Sequence, residues 1–442
     1  MLQRAAFIAK TRLGARSSVS ALREYVRNDR LDPAELAALQ ARRSIDHARF
    51  AFEHSLFYRE LYSSSGVTRK DLTDPAAFSS LPLVDKETVR EHFDTITSDE
   101  ATPANSKVST TGGSTGRPLR ILRDLRFPAR ALEWRLLRWW GVAPWEDRGI
   151  VTRHVLTGDE AAKHDRQWWP SRRIQLDAFR MDSDTMNGFI AEWNRLRPPF
   201  LLGYVGGALE LSRHIERTGK AFAPPTAIAL TAAPLGPSAR TEIERTLGAP
   251  AFDHYRSAEV PWIAGEAASQ DGLYVFDDVR RVEILREDGT LAADDELGEI
   301  VATDLTNRVF PLIRYRLGDT SKRLSGPGQD GLSLSRIATV AGRTSDALRL
   351  PSGSVITGAL GHIFDETPWA IRQFELEQYE DYSVVLRCIP NDHPDAPAAI
   401  ERATGKLRDA TRGEVDVRVD VVQTIPHVGG KMRFIRSSAP QR

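Results

Sequence analysis

A chain of 442 residues is too long for one hydrophobic core, so two or more domains are expected. Its 60 Lys+Arg balance 60 Asp+Glu, which removes any electrostatic case for nucleic acid as a partner. The one cysteine, Cys388, excludes an internal disulfide and a multi-cysteine metal site, and charged residues interrupt every apolar run short of a membrane span.

The N-terminal MLQRAAFIAKTRLGARSS is basic and mildly amphipathic. It lacks the apolar core and cleavage site of an export signal, so a solvated helix and a cytoplasmic protein are expected. Residues 32–62 repeat apolar side chains at helical spacing, with Asp32 and Pro33 as N-cap and first-turn residue. SLPLVDKETVREHF reads as a turn and a further helix, and FPARALEWRLLRWWGV aligns Leu132, Leu136 and Trp140 on one helical stripe. From PPFLLGYV to APAFDHYR, strands alternate with helices at the short spacing of parallel βαβ units. From about residue 272 the pattern changes to short strands and turns, with the turn-rich LSGPGQDGLSL at 324–334 reading as a linker. The last hundred residues read as a small α+β domain, with IERATGKLRDATRG helical and EVDVRVDVVQTI extended. The expected division is a large N-terminal domain over 1–342, whose first 105 residues are mostly helical, and a small domain over 343–442.

The segment SKVSTTGGSTGRPLRI concentrates Ser109, Thr110, Thr111, Ser114 and Thr115 around Gly112, Gly113 and Gly116. It has neither the Walker spacing nor the dinucleotide GxGxxG spacing. GGSTG does match the G-x-S-x-G nucleophile elbow, with Ser114 as nucleophile. That elbow requires a helix directly after the serine, whereas Pro118 and the alternating LRIL predict a strand. A hydroxyl- and glycine-rich turn between two strands offers N–H and O–H donors to phosphate oxygens. Downstream, DHYRSAEV spaces Tyr255 and Glu259 four apart, PLIRYRLGD ends in Asp319, and GRTSD carries Arg343 and Asp346. The histidines show no metal-binding spacing.

In this order, STTGGSTGRPL, TAAPL, YRSAE, PLIRYRLGD, GRTSD and the terminal HVGGKMRF resemble the adenylate-forming superfamily, in its phenylacetate–CoA ligase-like branch. The resemblance extends over nearly the whole chain and implies the α/β fold of those ligases: mixed and parallel sheets flanked by helices, then an α+β lid. It implies ATP, Mg2+ and coenzyme A as reactants and cofactors, and a small-molecule carboxylic acid as substrate. The glycine/hydroxyl loop, together with Ala233 and Pro234, would hold the nucleotide. Tyr255 would face adenine, Asp319 would accept from the ribose hydroxyls, and Arg343 would lie near ribose and phosphate. Glu259 would bind Mg2+, Asp346 would be the hinge, and Lys431 would act on the α-phosphate. Tyr204, Gly206, Ala232 and Trp262 would line the acid pocket.

Two departures stand out. Relatives place a hydroxyl just before the glutamate, where this chain has Ala258. Many also carry Cys and His ligands for a structural zinc, whereas GEAASQDGLY and SGPGQDG contain neither residue, so no zinc site is expected. Other activities fit parts of the pattern: an adenylating ligase with an amine or hydroxyl acceptor, a serine hydrolase, or a non-catalytic nucleotide-binding scaffold. The sequence does not distinguish a monomer from a homodimer.

Overall fold

The computed structural model describes residues 2–111, 119–152, 155–178, 180–343, 348–352, 354–356, 363–364, 367, 369–425 and 435–440, without the side chains of Leu13, Thr111, Arg343 and Val355. The chain forms two compact units: Ala5–Ala143 with His254–Ala338, and Met1–Arg4 with Pro144–Asp253 and Thr339–Arg442. We call them the hairpin unit and the parallel-sheet unit.

The hairpin unit begins with helices. Asp32 caps Pro33–His54 by accepting from the Ala34 amide at 2.8 Å. The helical run ends sooner than its periodicity predicts: Ser55 is extended, and its hydroxyl caps a second helix, Leu56–Ser64. Leu132, Leu136 and Trp140 are all buried, as their stripe predicts. Beside Leu132 and Leu136 on the helix Arg130–Trp139, the fully buried Arg135 pairs with Asp29 at 2.6 Å and Asp278 at 2.9 Å, tying the helical lead-in to the later half of the unit.

Strands β1 (Ser106–Thr111) and β2 (Leu119–Asp124) pair antiparallel from Ser106 opposite Asp124 to Thr111 opposite Leu119. The later half of the unit supplies a meander of Arg280–Leu285, Leu297–Asp304 and Tyr315–Lys322.

The turn-rich segment 324–334 is no loose connector. Asp330 accepts from the Ser269 amide at 3.1 Å and from Tyr274 Oη at 3.2 Å, and also from the Ser269 hydroxyl. Asp271 accepts from the Gln329 amide at 2.8 Å and pairs with Arg336 at 2.8 Å. Burial alone would raise the Asp271 carboxyl, but the Gln329 amide, the Ser269 hydroxyl and the Arg336 guanidinium outweigh it and hold it below the usual range. Hydrogen bonds between carboxylates and their donors thus fasten segment 324–334 to residues 269–274.

In the parallel-sheet unit, β3 (Arg148–Thr152), β4 (Arg173–Asp177), β5 (Phe200–Tyr204), β6 (Ala227–Thr231) and β7 (Ala251–Tyr255) run in the order β4-β3-β5-β6-β7, all parallel. β7 enters the hairpin unit at His254. The helices Ser183–Leu196, Val205–Thr218 and Pro237–Leu247 bury Ile190, Trp193, Leu211, Ile243 and Leu247 with Val151, Leu201 and Ile228 of the strands. β6 is buried along its whole length, which is why AIALT reads as an apolar run.

Helix Val205–Thr218 approaches β3 so closely that a Cβ on Gly207 would meet Val151 Cγ1 at 2.5 Å, whereas one on Gly206 would meet nothing within 4 Å. Gly207→Ala should therefore lower unfolding free energy by about 1–3 kcal/mol through overpacking. Gly206→Ala should be neutral or raise it by up to about 1 kcal/mol through helix propensity. Denaturant titration of both variants checks this, and equal effects would contradict the packing.

The C-terminal residues of this unit form one four-stranded sheet of Ile371–Gln378, Val384–Pro390, Val417–Val421 and Ile435–Ser437 that shares a core with helix Ala396–Ala410. Their core includes Leu376, Leu386, Ala403, Leu407 and Cys388, whose thiol burial pushes up to about 11. Among the described residues no helix is long and apolar enough to cross a membrane.

Candidate functional site

Within the hairpin unit the candidate residues lie on separate segments. β1 and β2 bracket residues 112–118, so the chain enters and leaves this loop as a strand. A nucleophile elbow requires a helix after Ser114; the described chain resumes at Leu119 as the strand β2. Gly112, Gly113, Ser114, Thr115 and Gly116 lie outside the described residues, as does the side chain of Thr111. Ser109 is half-buried and Thr110 exposed on β1.

Asp319 owes its position to a bulge. In the strand Tyr315–Lys322, Thr320 lies opposite Glu299 and Arg316 opposite Val301, so Leu317, Gly318 and Asp319 together face Ile300 alone. Gly318 has φ 74°, a left-handed conformation that costs glycine nothing and side-chain-bearing residues about 1 kcal/mol. The bulge releases Asp319 from the ladder, and its Oδ2 accepts a 2.6 Å hydrogen bond from Tyr255 Oη at the end of β7. Two of the predicted nucleotide residues, 64 positions apart in sequence, are therefore in direct contact. The bond uses one of about four acceptor positions of the carboxylate.

Glu259 is carried on a tight turn. The Ser257 amide donates to Val260 O at 3.1 Å, and the Val260 amide donates to Ser257 Oγ at 2.8 Å. Ser257 Oγ is an acceptor within this turn, and Ala258 beside it has no hydroxyl. Lys86 Nζ approaches Glu259 Oε1 to 4.0 Å. Lys86 opens the helix Lys86–Glu91, which packs against β2 and against the strand Tyr315–Lys322. Tyr315, at the start of that strand, has its phenol raised by burial first and then by the negative charge of Glu259. Glu259, Lys86, Tyr315 and the Tyr255–Asp319 pair thus belong to one neighbourhood in this unit.

A single carboxylate suits a divalent cation that arrives with phosphate oxygens, because Mg2+ takes one or two protein carboxylates and fills its other positions from substrate and water. Among the described residues, no three His, Cys, Asp or Glu side chains converge to cage a metal by themselves. The residues present fit a nucleotide-borne Mg2+ at Glu259.

Trp262, expected in the acid pocket, stacks on the buried ring of His254 with centroids 5.5 Å apart, and the Arg256 guanidinium lies over the Trp262 ring at 5.1 Å. Its φ of 57° is a left-handed value, uncommon for a bulky residue. In the parallel-sheet unit, Tyr204 and Thr231 are register partners at the carboxyl ends of β5 and β6. Tyr204 and Gly206 lie there, with Ala232, Ala233 and Pro234 following β6. Ala232, at φ 71°, adopts the left-handed conformation without being glycine. Carboxyl ends of adjacent parallel strands are where open α/β sheets receive ligands. Arg343 is on the backbone of this unit with its side chain outside the described residues; Asp346 and Lys431 lie outside them altogether.

Lys86, Ser257 and Tyr315 are the members that sequence reasoning missed. Lys86 did leave a signal: it is a cation at the first position of a helix, where the macrodipole favours anions.

No protein-family model matches the chain. Its sequence is similar to phenylacetate-coenzyme A ligase of Escherichia coli strain K12, 27% identical over 355 residues that cover 76% of this chain and 78% of that one. The ligase of the same name from Pseudomonas putida is 24% identical over 340 residues, 72% of this chain and 74% of its own. The structure is similar to 2-hydroxyisobutyryl-CoA ligase in the postadenylation state in complex with R3-HIB-AMP, with a TM-score of 0.76 at 18% identity over 93% of this chain and 91% of that one. An amide bond synthetase from Marinactinospora thermotolerans gives a TM-score of 0.54 at 17% identity, covering 74% and 68%. The chain thus resembles the phenylacetate-coenzyme A ligases in sequence. It has the α/β fold of the adenylate-forming ligases, a parallel-rich sheet flanked by helices with a C-terminal α+β part.

Proposed function

We propose that this protein is an ATP-dependent, AMP-forming ligase that activates a carboxylic acid as an acyl-adenylate and passes the acyl group to coenzyme A. A carboxylate is a poor electrophile, because its charge repels nucleophiles and oxide is a poor leaving group. Attack on the α-phosphate of ATP replaces oxide by AMP and expels pyrophosphate. No side-chain nucleophile is needed, and the residues contribute position and charge.

The observation that carries this function is the 2.6 Å Tyr255–Asp319 contact beside Glu259, in a chain similar over three quarters of its length to coenzyme A ligases. Asp319 receives the ribose hydroxyls while Tyr255 fixes its carboxylate and lends a ring face to adenine. Glu259 holds Mg2+, which offsets phosphate charge when bound. The donors of residues 109–116 grip the leaving phosphates, with Ala233 and Pro234 alongside the nucleotide. Tyr204, Gly206, Ala232 and Trp262 define the acid pocket. Residues 343–442 act as a lid that turns at Asp346 and brings Arg343 and Lys431 to the nucleotide. No structural zinc takes part, since Asp271, Asp330, Ser269 and Arg336 already fasten the loops concerned.

The likeness to an amide bond synthetase keeps an amine acceptor as the second reading. Mass spectrometry of products formed from one activated acid with coenzyme A and with amines decides between them: a thioester supports the first, and an amide formed with coenzyme A left untouched supports the second. Ser114→Ala should lower ATP-dependent turnover by no more than about tenfold, because several donors share the phosphates. A hydrolase would lose nearly all activity without its nucleophile, so abolition of an ATP-independent esterase activity would overturn the ligase.

A further inference from the structure

We propose that Lys86 is a positioning residue of this site, an internal counter-ion that neutralises Glu259 until the divalent cation arrives and then transfers its charge to the phosphate chain. The inference rests on the nucleotide reading of Glu259 and extends it to a residue outside the motifs.

The backbone around Lys86 is fixed from both sides. The Val84 amide donates to Arg314 O at 3.1 Å, and the Arg316 amide donates to Val84 O at 2.8 Å. Asp85 then caps the short helix, accepting from the Thr88 amide at 2.9 Å and the Thr88 hydroxyl at 2.7 Å. Lys86 is therefore anchored beside the start of the strand that presents Asp319, on a helix packed against the strand leaving the 112–118 loop.

Its ammonium is placed for exchange. At 4.0 Å the Lys86–Glu259 contact is an ion pair too long for a hydrogen bond. The Lys86 side chain is 34% exposed and that of Glu259 12%, so the lysine is the partner with room to move. A four-carbon stem with three donors can turn from carboxylate to phosphate without moving the backbone. Other charges from the same helix surround the start of the strand: Arg90, paired to Glu87 at 2.5 Å, and Asp85, both of which act on the Tyr315 phenol. Without Lys86, Glu259 would face an incoming triphosphate as an uncompensated like charge. The cost of removing Lys86 should therefore be greatest when no metal is present to cover Glu259.

The experiment is equilibrium binding of ATP to the full-length protein, measured by dialysis with excess chelator and again with saturating Mg2+. Lys86→Met should weaken metal-free ATP binding by about tenfold or more and Mg2+-ATP binding by no more than about threefold, so that the dependence on Mg2+ steepens. Lys86→Arg should stay close to the parent in both. Glu259→Gln should do the opposite of Lys86→Met, leaving metal-free binding intact and flattening the Mg2+ dependence. Equal losses in both conditions, or none, for Lys86→Met with a normal Glu259→Gln result would overturn the counter-ion role alone. An unaltered Mg2+ dependence in Glu259→Gln would overturn the metal assignment beneath it.

Discussion

Asp319→Ala raises the KM for ATP on the order of 10- to 100-fold, with the acid KM much less affected. Two effects add. The ribose hydroxyls lose a charged acceptor, and hydrogen bonds to charged groups contribute about 1.5–3 kcal/mol each. Tyr255 also loses the carboxylate that accepts from its hydroxyl at 2.6 Å, which leaves the ring that faces adenine less well fixed. Tyr255→Phe separates the two, because it keeps the ring and the carboxylate and removes only the bond between them. Its ATP KM should rise less than about tenfold. Steady-state kinetics of both variants, with near-native circular dichroism, make the comparison. An ATP KM for Asp319→Ala equal to that of the parent would remove Asp319 from the nucleotide site.

Lys431→Ala lowers the adenylation rate by roughly two to three orders of magnitude and leaves ATP binding nearly unchanged. The lysine follows Gly429 and Gly430 near the end of the chain, where a backbone without side chains can approach a ligand. An ammonium brought to the α-phosphate as its charge redistributes is worth more in the transition state than in the ground state, so kcat bears the loss. If the lid turns away for the second step, the variant still transfers the acyl group from a supplied acyl-adenylate. Single-turnover rates of the two half-reactions, measured side by side, test this. Equal loss in both would contradict a lysine that serves only one of them.

Much of this was legible because the chemistry needs unusual local patterns. Pro118 and the alternating residues after it foretold that the glycine-rich loop ends in a strand, and β2 begins at Leu119. The sequence PLIRYRLGD suggests a strand that ends at Gly318-Asp319; the strand instead runs on to Lys322, and a bulge at that pair carries Asp319 to Tyr255. The βαβ alternation foretold the parallel order of β5, β6 and β7.

Other features depend on long-range geometry that local composition does not carry. Gly206 and Gly207 look alike in sequence. Only the rotational phase of the helix shows that Gly207 abuts Val151 while Gly206 has open space. Segment 324–334 has the residues of a linker, yet the Ser269 and Tyr274 donors to Asp330, and the Asp271 carboxylate that accepts from the Gln329 amide, lie some sixty residues away. The pairing of Lys86 with Glu259 joins residues remote in sequence, so no local pattern connects them.

The central claim is that an acid is activated by adenylation, and exchange of labelled pyrophosphate into ATP tests it most directly, since it reports formation and reversal of the acyl-adenylate without any acceptor. Across a panel of carboxylic acids, exchange should appear with at least one acid in the absence of coenzyme A, vanish when that acid is omitted, and fall by roughly two to three orders of magnitude in Lys431→Ala. Protein that binds ATP yet catalyses no acid-dependent exchange with any member of the panel would contradict it.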